Sequence, residues 1–202
     1  MKAKTTIKAL LLSLCALLLV AVSVFSTIAF LKSSDSVTNT FTVGKVAITL
    51  DEAKVNAYGV ADTAAGRVKE NTYKLIPGHK YTKDPTVHVT ADSEKCYVFV
   101  KVDNGIAALE GSSNTIASQI ATNGWTPVTG ETNVYYKTVE ATTTGADLTV
   151  FSSFTLANDA NSKAEWDSQD IKVVVTAYAV QYDGFEGNVA GAWAAAKSAS
   201  SN

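Results

Sequence analysis

The chain has 202 residues, with 17 Lys and Arg against 19 Asp and Glu and a formal charge of −2. That slightly acidic balance is not that of a nucleic-acid binder, whose surface carries basic patches. Two cysteines exclude a disulfide-framed fold, so stability must come from burial and hydrogen-bond ladders in a chain long enough for one substantial core.

The N-terminus reads as an export signal. Lys2, Lys4 and Lys8 precede an uncharged apolar run from Ala9 to Leu31, which is the order of charge and apolar residues in a secretory signal. Thr27-Ile28-Ala29 resembles a small-x-small cleavage site, predicting a signal peptide over 1–29 and scission between Ala29 and Phe30 by a signal peptidase. A retained anchor is the competing reading, because the run is long enough to span a bilayer. Membrane contact is expected only through that uncleaved segment. Residues 1–29 hold three lysines and no acid, so cleavage moves the formal charge from −2 to −5. It also removes Cys15. Cys96 is then the only cysteine, expected as a small buried hydrophobe, with an intermolecular disulfide open to it at a sheet edge.

Beyond the signal, apolar alternation marks strands separated by Gly-, Asn- and Asp-rich turns. Val37, Asn39, Phe41 and Val43 share one face, and Val46, Ile48 and Leu50 take up the alternation one residue out of phase. A period-two pattern slips only at an insertion or a break, so a bulge or kink is expected at Gly44-Lys45. The chain thus divides into a strand segment over 30–43 and a domain over 44–202. Residues 51–72 read as a long, partly ordered loop with room for a short strand.

Pro77-Gly78 predicts a type II turn. Thr86–Thr90 predicts a strand with Val87 and Val89 on one face. Cys96–Val102, apolar on both faces as far as Lys101, predicts a central strand covered on each side. Asn114 is expected to cap a short helix carrying Ile116 and Ile120, stopped at Asn123-Gly124. Val134–Val139, Leu148–Leu156 and Ile171–Tyr182 are expected strands, the last apolar on both faces and so also central. A short turn over Ala164–Asp167 should place Trp166 as a plug at a sheet end. A helix is expected over Val189–Lys197, with Val189 and Trp193 one turn apart. Together these elements predict an all-β fold, a two-sheet jelly-roll-like β-sandwich with short helical insertions, preceded by an N-terminal signal helix.

Three stretches carry a resemblance. They are Ser26-Thr27-Ile28-Ala29-Phe30 running into Val37–Val46, Leu75–Gly78 followed by Lys83–Val89 and Cys96–Val102, and Val173–Gln181. In these the chain resembles the TasA and camelysin family of secreted Gram-positive proteins, whose precursors carry SipW-type signal peptides. The resemblance implies a jelly-roll domain, export to the cell surface or biofilm matrix, and self-association into fibres. In such fibres the N-terminal segment of one subunit completes the sheet of the next. Carried over here, the donor is the 30–43 segment, with Val37, Phe41 and Val43 filling acceptor pockets and Gly44 marking its end. The same segment could instead pair within its own domain as an edge strand. A monomeric surface adhesin or ligand-binding module is the alternative function.

Camelysin-type relatives suggest a metallopeptidase, but the chain offers only His79 and His88, outside any His-Glu-x-x-His pattern. Both histidines are expected to face solvent. Asp51-Glu52 and Asn158-Asp159-Ala160-Asn161 do not match a calcium loop. Trp125 and Tyr135-Tyr136 could line a carbohydrate face, though strand aromatics more often pack the core. The expectation is therefore a non-enzymatic protein without cofactor or metal.

Overall fold

The computed structural model describes residues 7–8, 11–19, 45–167 and 171–199. The chain divides into two compact units, Met1–Thr42 and Val43–Asn202. In the first, residues 11–19 form helix α1 with exposed side chains. Among the described residues no helix is long and apolar enough to cross a membrane. Ala29, Phe30, Val37, Phe41, Val43 and Gly44 lie outside the described residues, and with them the cleavage site, the 30–43 segment and the expected phase break.

The second unit is mostly β. Its strands are β1 (Ile48–Asp51), β2 (Lys80–Thr82), β3 (Thr86–Val89), β4 (Cys96–Asn104), β5 (Thr126–Pro127), β6 (Val134–Val139), β7 (Ala146–Thr149), β8 (Ser153–Thr155) and β9 (Val173–Gln181). They form three antiparallel sheets, ordered β1-β3-β7, β2-β8 and β5-β6-β4-β9. Two short helices, α2 (Ile116–Thr122) and α3 (Val189–Ala199), join them.

Strand β4 is apolar on both faces because each meets a different core. Cys96, Val98, Val100 and Val102 point into the main core, shared with Val87 and Val89 of β3 and Tyr81 and Phe154 of β2 and β8. Tyr97 and Phe99 point the other way, beneath α3, where Ala192, Trp193 and Ala196 cover them. Trp193 lies 5.4 Å from the Phe99 ring and meets Tyr178 edge-on at 5.0 Å. The expected central strand and the expected C-terminal helix are thus one packing unit. Cys96 is fully buried in mid-sheet, not at an edge, and burial pushes its thiol pKa up to about 11.

Several local expectations hold. Val46, Ile48 and Leu50 pack together against the main core. Gly78 has a φ of 74° and His79 N–H returns to Ile76 C=O at 3.1 Å, as a type II Pro-Gly turn requires. Trp166, in the short 3₁₀ turn Ala164–Asp167, packs against the main core. Trp125 is buried and donates to Thr149 C=O, while Tyr135 and Tyr136 serve opposite cores, so the three form no common binding face.

Others are corrected. The N-cap of α2 is Thr115, whose hydroxyl accepts from Ser118 N–H at 3.2 Å; Asn114, with a φ of 54°, makes the turn before it. The expected strand Leu148–Leu156 is two strands in different sheets. Val150 and Phe151 are consecutive and both fully buried, which one pleated strand cannot achieve on a single face. The chain changes sheets there, held by buried Gln119, whose Oε1 accepts from Ser152 and Ser153 N–H and whose Nε2 donates to Ser153 C=O. The 51–72 stretch is hydrogen-bonded through the bridges Glu52–Val68 and Val55–Ala61. Finally, among the described residues β9 is an edge strand and not a central one. Its second apolar face is covered by α3 rather than by position within the sheet.

Replacing Trp193 by Ala should cost about 3–5 kcal/mol, the usual range for deleting a buried aromatic. Thr115→Ala should cost about 1 kcal/mol, whereas Asn114→Gly, at a positive φ that suits glycine, should cost little. Urea unfolding followed by tryptophan fluorescence and circular dichroism measures all three.

Candidate functional site

Among the described residues, strands β1 and β9 are both sheet edges. Their outward groups follow from the antiparallel alternation, in which successive residues turn their N–H and C=O to opposite sides. Tyr182 N–H bonds Lys95 C=O and Gly105 N–H bonds Lys172 C=O, so even-numbered residues of β9 face β4. Val173, Val175, Ala177 and Ala179 therefore aim their backbone groups outward, and among the described residues none of these groups has a backbone partner. Their side chains pack on the main core. By the same rule, Thr90 N–H on Ala47 C=O leaves Ile48, Leu50 and Glu52 facing away from β3.

The two edges approach one another, and a groove of about 890 Å³ opens along them. Leu50, Tyr73, Leu75, Ile106, Phe154 and Val175 give it an apolar lining that reaches the main core. Lys69, Asn71, Lys83 and Glu52 supply its polar groups. The β1 side is already occupied in part. Glu52 exchanges both backbone bonds with Val68, and the Lys69 ammonium donates to Leu50 C=O. A lysine set on an edge in this way discourages pairing there. Among the described residues no strand or bridge pairs with the outer side of β9.

Two charged clusters border the groove. In the first, the Glu52 carboxylate receives Lys83 Nζ at 2.6 Å and Asn71 Nδ2 at 2.9 Å. Glu52 is 4% exposed. Burial first, and then the negative charge of Glu52, pushes the nearby Tyr73 hydroxyl far above the usual phenol range. In the second cluster, His88 bridges β1 and β7. Its Nε2 lies 2.8 Å from Asp51 Oδ1 and its Nδ1 2.6 Å from Asp147 Oδ1. Arg67 bonds the same Asp51 carboxylate and also reaches Asp84 Oδ2 at 3.0 Å. The expectation of a solvent-facing His88 is corrected: alternation does put it on the outer face, but the two flanking strands supply its partners. His79 is likewise engaged, with Nε2 2.9 Å from Tyr58 C=O and its ring against Tyr81.

Only a doubly protonated imidazole can donate to two carboxylates at once. Burial opposes that charge, but the hydrogen bonds to Asp51 and Asp147 outweigh it and raise the His88 pKa above its ordinary 6.5. Burial likewise opposes ionisation of Asp51, and the bonds from Arg67 and His88 outweigh it and lower its pKa. Among the described residues no three His, Cys, Asp or Glu side chains converge so as to hold a metal ion.

The donor-side residues Val37, Phe41, Val43 and Gly44 lie outside the described residues, so none is placed beside this groove. The β9 side of the groove was not anticipated from sequence. The 171–182 stretch reads as a central strand because both its faces are apolar, and nothing local reveals that among the described residues one side has no paired strand. The charged partners of His88 lie 37 and 59 residues away and carry no spacing signal. Compared with known proteins, the chain matches no family model, no curated protein and no solved structure.

Because the folded-state pKa of His88 is raised, its contribution to stability is complete below the unfolded value of 6.5 and is lost as pH rises through the raised value. The stability gap between the wild type and His88→Gln should therefore be larger at about pH 5.5 than at about pH 8.5. Urea midpoints at the two pH values test this, and NMR titration of the His88 ring tests the raised pKa.

Proposed function

We propose that this chain is a secreted, non-enzymatic structural protein of the cell surface or biofilm matrix of a Gram-positive bacterium. It folds as a two-sheet jelly-roll-like sandwich and assembles into fibres by strand addition between identical copies. The observation that carries this reading is the β9 edge, unpaired among the described residues, beside an apolar groove. Strand addition takes its affinity from main-chain hydrogen bonds and its register from alternate side chains in pockets. The outward backbone groups of Val173, Val175, Ala177 and Ala179 suit the first requirement, and the lining of Leu50, Leu75 and Phe154 suits the second.

The donor is the 30–43 segment of a neighbouring copy, exposed by cleavage between Ala29 and Phe30, with Val37, Phe41 and Val43 entering the groove. A donor strand on one side of the molecule and an acceptor on another make a heterologous contact, which propagates as a fibre instead of closing as a dimer. The groove itself also favours a second reading. It is concave and mixes an apolar lining with a few polar groups, the general form of a small-molecule site, which suits a monomeric surface module that binds a ligand there.

Residues 30–202 should assemble into fibres seen by electron microscopy and sedimentation, and residues 44–202 should remain monomeric. Ala177→Pro removes an outward N–H without touching the bonds to β4, and proline is tolerated on such an edge. That variant should stay folded and lose assembly, whereas Tyr178→Pro should unfold the sheet. Equal polymerisation of both truncations, or of none under any condition, would sink strand exchange.

A further inference from the structure

A partly buried lysine and asparagine meet the buried carboxylate of Glu52 at one point of this unit. Lys83 Nζ and Asn71 Nδ2 bind the two oxygens of the Glu52 carboxylate, at 2.6 and 2.9 Å. The side chains of Lys83 and Glu52 are 12% and 5% exposed. Leu50, Tyr73, Pro85 and Phe154 line the same groove. Burying such an ion pair is a weak source of stability, because desolvation offsets most of the attraction. The asparagine amide is also oriented from its other side. Val55 N–H donates to Asn71 Oδ1 at 2.9 Å, and Asn71 Nδ2 donates a second bond to Ala53 C=O at 2.9 Å.

We infer that Lys83 and Asn71 form an intramolecular isopeptide bond, with Glu52 as the catalytic carboxyl group. Each part of an acyl transfer to nitrogen has a residue in place. The Lys83 ammonium passes a proton to the Glu52 carboxylate across their contact. The neutral amine, on a flexible four-carbon stem, attacks Asn71 Cγ. Negative charge develops on Oδ1, which already accepts from Val55 N–H, the position of an oxyanion donor. Glu52, now protonated, delivers its proton to Asn71 Nδ2, the atom it already contacts. The Cγ–Nδ2 bond breaks and ammonia leaves as the new Cγ–Nζ amide forms. The amine's remaining surplus proton passes by way of Glu52 to the departing ammonia, which leaves as ammonium. The balance is one lysine ammonium and one carboxamide giving one secondary amide and one ammonium ion. No oxidant, metal or external reactant enters.

The cross-link would tie residue 71, in the segment that crosses the groove, to residue 83, between β2 and β3. It would secure one wall of the groove covalently in a chain that has no disulfide there.

Mass spectrometry of the purified exported protein, its N-terminus first established by sequencing, tests the inference. The intact mass is expected to be lower than calculated by one ammonia. Proteolysis should yield a branched peptide joining Asn71 to Lys83, with no cleavage after Lys83. Lys83→Arg and Asn71→Ala should restore the full mass, and folded Glu52→Gln should remain uncross-linked. Lys83→Arg keeps the cation and so serves as the folded control if Glu52→Gln fails to fold. A full mass for the native protein, with Lys83 cleaved normally, overturns the inference. So does an ammonia loss that maps elsewhere, or a cross-link that persists in folded Glu52→Gln, which removes the role of Glu52.

Discussion

The constraint on which the rest depends is the burial of β4 on both faces. A strand whose alternate residues are Cys96, Val98, Val100 and Val102 on one side and Tyr97 and Phe99 on the other cannot leave either side wet. The hydrophobic term for each fully buried large side chain is about 1.5–3 kcal/mol. One face is therefore matched by the core beneath the other sheets and the other by α3. Once α3 lies across Phe99 and Tyr178, the strand beside β4 acquires a second apolar face without needing a further neighbour. The edge position of β9 and its two-sided apolar character thus have the same cause.

That arrangement bears on how the groove is built. Sheet edges are usually blunted, and the β1 edge is: Val68 pairs with Glu52 and Lys69 occupies Leu50 C=O. The β9 edge keeps its outward groups without comparable cover among the described residues. The difference lies in the 51–72 segment, which folds back on β1 and is held there by charged side chains. Arg67 joins Asp51 to Asp84, and His88 joins Asp51 to Asp147. Electrostatics therefore act on the β1 wall of the groove, where Arg67 and His88 hold the 51–72 segment and β1 together. The Lys83–Glu52–Asn71 group lies on the same side, with the Glu52 carboxylate buried.

Much of the strand pattern was legible from local features. Val87 and Val89, the Cys96–Val102 run and Val134–Val139 read correctly because period-two alternation and β-branched content are local properties. The Pro77-Gly78 turn and the Asn123-Gly124 stop read correctly because each demands a backbone geometry that few residues adopt. Leu148–Leu156 misled because its overall β-propensity hid the adjacent pair Val150-Phe151, which signals a break in phase. Thr115 was passed over for Asn114 because the two are adjacent and both cap well; only the positive φ at Asn114 separates them. The partners of His88, and those of Lys83, were not legible at all, since no spacing rule relates Lys83 to Glu52 across 31 residues.

Sequence by itself determined where the chain extends and turns and which faces must be dry, because these depend on neighbours one to four residues apart. Only the tertiary structure decided which strand is left at an edge, which edge is guarded and which polar side chains share a site. Those outcomes depend on pairing between segments far apart in the chain. An apolar strand reads alike whether a second strand or a helix completes its burial, and that choice is what leaves β9 open.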